Sequence, residues 1–138
     1  MKEDCIFCKL ANGLIPTNTV YEDENFKVIM DLAPAAKGHS LVLPKEHFDN
    51  ALTADEEILG KAMVCAAKVG RAMKEALGCD GVNILQNNGE AAGQTIYHLH
   101  LHVIPRWSGD GVGLSCITKE ETPENLAETA ALINKYIK

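Results

Sequence analysis

The sequence predicts an α+β domain: an antiparallel sheet of about five strands, one long central helix and short helices near the two ends. Two observations carry this. Strand-like runs dominate the middle of the chain, and the helical segments do not alternate with them as parallel βαβ units would require. One long amphipathic stretch, from Ala54 to Leu77, supplies the single extended helix.

Cys5 to Asn12 forms a short helix, stopped by Gly13 and then Pro16. Thr19–Tyr21 and Phe26–Met30 are strands flanking the turn Glu22-Asp23-Glu24-Asn25. Ser40–Leu43 is a short apolar strand closed by Pro44. Thr53-Ala54-Asp55-Glu56 reads as a capping box, in which Thr53 accepts from the Glu56 N–H and Glu56 reaches back. Beyond it, Ile58, Leu59, Ala62, Met63, Ala66, Val69, Met73, Ala76 and Leu77 recur at helical spacing, and Gly78 stands where a helix stop belongs. Val82–Leu85 is a strand, and a polar loop from Gln86 to Thr95 follows. Ile96–Ile104 is the last strand, ended by Pro105. Thr122 caps a final helix with Pro123 at its first position, running to about Tyr136.

A length of 138 residues fits one domain, spanning 1–138. A hydrophobic content of 46% and a charged content of 23% are those of a globular protein. The net charge is −6 with scattered lysines and arginines, which argues against a nucleic-acid partner and leaves room for a small anion. The amino terminus is acidic where a signal peptide would be apolar, and no run approaches the ~18 apolar residues of a membrane span. Five cysteines, an odd set with only Cys5 and Cys8 close together, suit a reducing compartment. A cytoplasmic protein without membrane contact is expected.

In Tyr97-His98-Leu99-His100-Leu101-His102-Val103 two residue types alternate strictly. Side chains along a strand point to opposite faces in turn, so Tyr97, Leu99, Leu101 and Val103 are expected on the core face. His98, His100 and His102 share the other, each roughly 6.5–7 Å from the next. Packing alone rarely asks for three histidines in five residues. Two chemistries remain. Neutral imidazoles can converge on a metal ion, or one can serve as a nucleophile. A catalytic metal usually has a carboxylate nearby, and none lies between Ala91 and Ser108. The preceding loop, Asn87 to Thr95, carries Gly89 and Gly93, which let backbone approach a ligand closely, and donors suited to phosphate oxygens.

With these residues the sequence resembles the histidine triad (HIT) family, whose signature is histidine–apolar–histidine–apolar–histidine. The likeness extends through Cys5-Ile6-Phe7-Cys8-Lys9, Ile15-Pro16, Tyr21-Glu22-Asp23, Asp31 and Gly38-His39-Ser40-Leu41-Val42-Leu43-Pro44-Lys45, and covers about residues 5 to 107. It is strongest toward the bacterial, Hint-like nucleotide hydrolases. The resemblance implies a HIT-like fold, a homodimer and a covalent mechanism. In it His100 attacks the α-phosphorus of a purine nucleoside phosphoramidate or dinucleoside polyphosphate. A nucleotidyl-histidine forms, and water releases the nucleoside monophosphate. By the same likeness the carbonyl of His98 holds the other nitrogen of His100. His102 and His39 donate to non-bridging oxygens, and Gln94 and Thr95 contact the phosphate or leaving group. Asp31 binds the ribose, Phe7, Leu10 and Leu32 wall the base, and Asn87 lies beside the sugar-phosphate. Structural readings stand beside these: Asp31 as a strand end, Phe7 and Leu10 as ordinary core.

Cys5-Ile6-Phe7-Cys8 has the spacing of half a zinc site. A thioredoxin-like role would need a βαβ context that is missing. The resemblance implies His47 and His98 as the remaining ligands of a structural zinc, with no metal required for catalysis; reduced, unliganded cysteines are the alternative. Cys65 and Cys79 are expected to be inert; Cys116 and residues 107–117 receive no role. Two other functions compete: a nucleotide-binding regulatory protein in which turnover is incidental, and a hydrolase that uses the triad itself to hold a catalytic metal.

Overall fold

The computed structural model of the protein describes residues 1–138. Its elements follow the order α1 (Ile6–Ala11), β1 (Thr19–Glu22), β2 (Phe26–Met30), β3 (Ser40–Pro44), α2 (Glu56–Leu77), β4 (Gly81–Leu85), a short 3₁₀ turn (Glu90–Ala92), β5 (Leu101–Arg106) and α3 (Pro123–Asn134). The five strands form one antiparallel sheet in the order β1-β2-β3-β5-β4.

Local chemistry explains most of the boundaries. Asp23 turns the β1–β2 hairpin by accepting from the backbone N–H groups of Asn25 and Phe26, both at 2.8 Å. Helix α2 ends at Gly78 in the left-handed region, φ 63°, where its N–H reaches the carbonyl of Lys74. Thr122 caps α3 by accepting from the Asn125 N–H at 3.1 Å. The start of α2 departs from the capping-box expectation. Its N-cap is Asp55, and the Thr53 hydroxyl is engaged with the backbone of Asn50 instead. A tight turn at Asn50–Thr53 competes for the hydroxyl before the helix begins.

Two apolar clusters lie on opposite faces of the sheet. On one, α2 presses Ala62, Cys65, Ala66, Val69 and Met73 against Phe26, Val28, Val42, Leu99, Leu101 and Val103. Small side chains let this helix come close: a Cβ at Gly70 would lie 3.4 Å from Val82. Each fully buried Val or Leu here contributes roughly 1.5–3 kcal/mol. Met63 and Ala76, expected on the buried stripe, are exposed, because a helix on a flat sheet buries a narrower arc than its apolar positions span. On the other face α1 places Phe7, Cys8 and Ala11 against Ile29, Leu41 and Leu43.

The histidine segment keeps its side-chain alternation but not its expected ladder. Pairing begins only at Leu101 and continues through Pro105 to Arg106, whereas the sequence pointed to Ile96–Ile104. Pro105 lies past Val103, the last residue of β5 that pairs with β3, where a missing donor is tolerated. Tyr97 is half exposed and does not join the core, because the chain bends over Ile96–His98 and turns this side chain outward.

Past β5 the chain is turned by Asp110, which accepts from Arg106 at 2.8 and 3.0 Å and from the N–H groups of Trp107 and Val112. Helix α3 follows with none of its residues buried. No helix is long and apolar enough to cross a membrane.

Candidate functional site

β3 and β5 bring the histidines together. Leu41 of β3 pairs with His102, so the face of β5 that carries His102 is the face covered by α1. The rings of His100 and His102 have centroids 5.0 Å apart, and those of His39 and His102 are 5.1 Å apart. Beside them opens a cavity of about 530 Å³, within the range of small-molecule sites. Phe7, Leu10, Met30, Asp31, Leu32, Thr95, Ile96, His100 and His102 are among its walls.

The hydrogen bonds fix where each imidazole carries its proton. His100 donates from Nδ1 to the carbonyl of His98 at 2.7 Å, so its Nε2 lone pair is free. The Ala35 N–H donates to Nδ1 of His39 at 3.0 Å, which leaves the His39 proton on Nε2. That proton is given to Nδ1 of His102 at 2.9 Å, with Asp31 Oδ2 at 3.5 Å from the same nitrogen. His102 therefore carries its own proton on Nε2. One backbone amide thus sets the polarity of a two-ring chain.

Burial keeps these rings neutral. It lowers the pKa of His39 and His100, and brings His102 down to about 4, with the neighbouring His100 and His39 adding to the effect. His98 is also lowered to about 4, by burial first.

The expected residues divide into two groups. Phe7, Leu10, Asp31, Leu32, Thr95, His100 and His102 line the cavity. Phe7 is both wall and core: it is buried, and its ring stands edge-on to His100 at 4.9 Å. Leu32 sits on the rim, 91% exposed. His39, Gln94 and Asn87 depart from the roles assigned to them. His39 is buried with Nε2 spent on His102, so it reaches a ligand only through that ring. Gln94 uses both ends of its amide on protein: it accepts from the Gly89 N–H and Asn50, and donates to the carbonyls of Asp49 and Ile96. It rivets the loop and has no donor left for a phosphate. Asn87 lies against Gly93 and is not a cavity wall. Sequence reasoning missed Pro16, Thr17, Asn18, Ile29, Met30, Leu41 and Ile96 as walls; nothing in their type or spacing marks them.

A second cluster lies behind the first. Nδ1 of His98 is 3.4 Å from Cys5 Sγ and 3.5 Å from Cys8 Sγ; Nδ1 of His47 is 3.4 Å from Cys8 Sγ and 3.2 Å from Nδ1 of His98. Both rings hold their protons on Nε2, His98 against the Pro44 carbonyl at 2.8 Å and His47 against Asp49 at 3.0 Å. Two lone pairs facing each other at 3.2 Å repel unless a cation or thiol protons lie between them. A tetrahedral zinc, with bonds of about 2.3 Å to sulfur and about 2.05 Å to nitrogen, separates its ligands by about 3.5 Å for S–N and about 3.3 Å for N–N. The four donors fit that ion. Asp31, His39 and His102 also lie close enough to hold a metal. There the His39 lone pair is committed to the Ala35 N–H, so this set is a hydrogen-bonded chain and a poor ligand shell.

Comparison with known proteins gives a consistent result. The family model described as "HIT domain" matches residues 12–109. "Protein hit" of Bacillus subtilis is 40% identical over 138 residues, covering 98% of this chain and 95% of that one. The adenylylsulfatase HINT3 of Arabidopsis thaliana is 37% identical, over 80% of this chain and 56% of its own length. A solved Streptococcus mutans protein superposes with a TM-score of 0.95 at 39% identity, covering 100% of this chain and 88% of that one. A zinc-bound histidine triad family protein of Mycobacterium smegmatis superposes with a TM-score of 0.77 at 36% identity, covering 97% and 98%.

The lowered pKa of His102 has a consequence for stability. An unfolded histidine binds a proton near 6.5, whereas folded His102 does so only near 4. Between these values the unfolded chain holds the extra proton. Stability is therefore full above about pH 6.5 and declines as the pH falls toward about 4. Urea midpoints at pH 7 and pH 4.5 are expected to fall further in the wild type than in His102→Gln; equal losses would contradict the assignment.

Proposed function

The chain belongs to the HIT family, which includes nucleotide hydrolases such as the adenylylsulfatase HINT3, and on that premise we propose that it hydrolyses purine nucleotides at the α-phosphate through a covalent nucleotidyl-His100 intermediate. The observation that carries this reading is the free Nε2 lone pair of His100 at the wall of the cavity, with its other nitrogen tied to a carbonyl. A neutral imidazole held in one tautomer is a competent nucleophile near pH 7.

In the proposed reaction Nε2 of His100 forms a bond to phosphorus while the bond to the leaving group breaks. For a phosphoramidate, the amine departs with the P–N electron pair and takes a proton from solvent. The His98 carbonyl stabilises the positive imidazolium through Nδ1–H. The Nε2–H of His102 donates to a non-bridging oxygen, where negative charge grows. Water then attacks phosphorus, the electron pair of the P–N bond returns to His100, and nucleoside monophosphate leaves with a proton released. Asp31 stands where a carboxylate can accept from ribose hydroxyls, and Phe7, Leu10 and Leu32 offer apolar surface to a base. His39 positions His102 and does not touch the phosphate.

Cys5, Cys8, His47 and His98 would hold a zinc ion that neutralises the two sulfurs and ties α1 to the sheet; no step of the reaction passes through it. Cys5 and Cys8, unoxidised and able to ligate zinc, suit a reducing compartment and support a cytoplasmic location. Two features support a homodimer. Helix α3 leaves Leu126, Leu132 and Ile133 all more than half exposed, and β4 is an edge strand with an exposed Ile84.

Release of adenosine monophosphate from an adenosine phosphoramidate tests the activity. Wild type is expected to turn over, and His100→Ala to lose at least about 10³-fold in kcat; equal rates would sink the nucleophile, and no release from either protein would sink the hydrolase. Light scattering of the full chain is expected to give twice the chain mass, and a monomer at micromolar concentration would refute the dimer.

A further inference from the structure

We propose that the cluster of Cys5, Cys8, His47 and His98 does more than staple α1: metal bound there orients the imidazole of His100, through the peptide that joins His98 to Leu99. This rests on the reading above that the cluster binds zinc and that His100 is the nucleophile.

That one peptide unit is held at both ends. Its carbonyl, from His98, accepts the Nδ1 proton of His100 at 2.7 Å. Its N–H, from Leu99, donates to the carbonyl of Phe48 at 2.7 Å. One end therefore belongs to a metal-ligand candidate, His98, and the other is clamped by the residue that follows a second candidate, His47. His98 is fully buried, and its Nε2–H is held on the Pro44 carbonyl, so a shift of its ring is passed to its backbone or breaks that bond. A second route runs through α1. Phe7 lies between Cys5 and Cys8 in sequence, and its ring meets His100 edge-on at 4.9 Å and 87°.

Removing the metal takes away the ion that draws the Nδ1 atoms of His47 and His98 to 3.2 Å, and the rings part to take the two thiols as separate partners. That movement displaces the peptide that holds the His100 proton. His100 then loses its single tautomer, and the fraction of molecules with Nε2 free falls. His98 is a positioning residue in two senses, by its ring and by its carbonyl.

The test uses the full chain with ¹⁵N-labelled histidine, stripped of metal and titrated with zinc at one pH above 7. Zinc uptake is read by competition with a chromogenic chelator, and the His100 tautomer by its ring ¹⁵N shifts. The metal-free chain is expected to show both tautomers of His100, and the loaded chain only the one with Nδ1–H. The conversion should follow zinc occupancy. In Asp49→Ala, which removes the acceptor behind His47, uptake and tautomer curves should move together by about 10–100-fold. If the stripped chain unfolds, cadmium replaces zinc: its longer bonds should shift the His100 ring signals, and identical signals would overturn the coupling. So would a wild type that binds one zinc while His100 keeps one tautomer throughout. Failure to bind zinc at all would remove the metal reading and this inference together. Coupling in a chain that releases no nucleoside monophosphate would remove the hydrolase reading and leave the coupling standing.

Discussion

The hydrogen bond from Nδ1 of His100 to the carbonyl of His98 is the constraint on which the rest of the structure depends. A neutral imidazole has one proton and one lone pair, and the position of the proton decides which nitrogen can attack. A side chain that reaches the carbonyl two residues earlier takes that carbonyl out of the sheet. The segment His98–His100 accordingly stands outside the ladder, and β5 begins only at Leu101. The irregularity in the strand and the chemistry of the site are one feature. Leu99 and Leu101 keep the segment attached to the core, so the missing sheet bonds do not free it.

Around that bond, burial and neighbouring rings act in the same direction. Desolvation disfavours every imidazolium in the group, and the 5 Å ring spacing makes a second positive charge costlier than the first. Asp31 opposes this for His39, His100 and His102, but burial outweighs it. The result is a row of neutral rings at pH 7 whose protons are placed by backbone groups: Ala35 for His39 and His102, His98 for His100, Pro44 for His98 itself. Backbone groups are rigid, and a site polarised by them needs little reorganisation when charge develops.

Much of this was legible in the sequence, for physical reasons. Period-two alternation reports which way side chains point, so it correctly separated Leu99, Leu101 and Val103 from the three histidines. It does not report which backbone groups pair, and so it could not show where the ladder begins or that Tyr97 lies outside it. The capping box failed because the hydroxyl of Thr53 found a nearer partner in Asn50. Residue type also suggested that every polar group near the triad faces the ligand. Gln94 and His39 show otherwise: both are buried, and their capacity is used within the protein. The cysteine pair was visible as half a site, and the His47 and His98 positions came from family likeness. Only the three-dimensional arrangement shows two Nδ1 atoms converging on two sulfurs with their Nε2 protons held outside.

The most direct measurement of the central claim is chemical trapping. Excess protein is mixed with an adenosine phosphoramidate, quenched within one turnover under alkaline conditions that spare phosphoramidate bonds, digested and mapped by mass spectrometry. The account predicts an adenylyl group on His100, bound through Nε2. Adenylyl on His102 or His39, or product formed in that turnover with no labelled histidine, would contradict it.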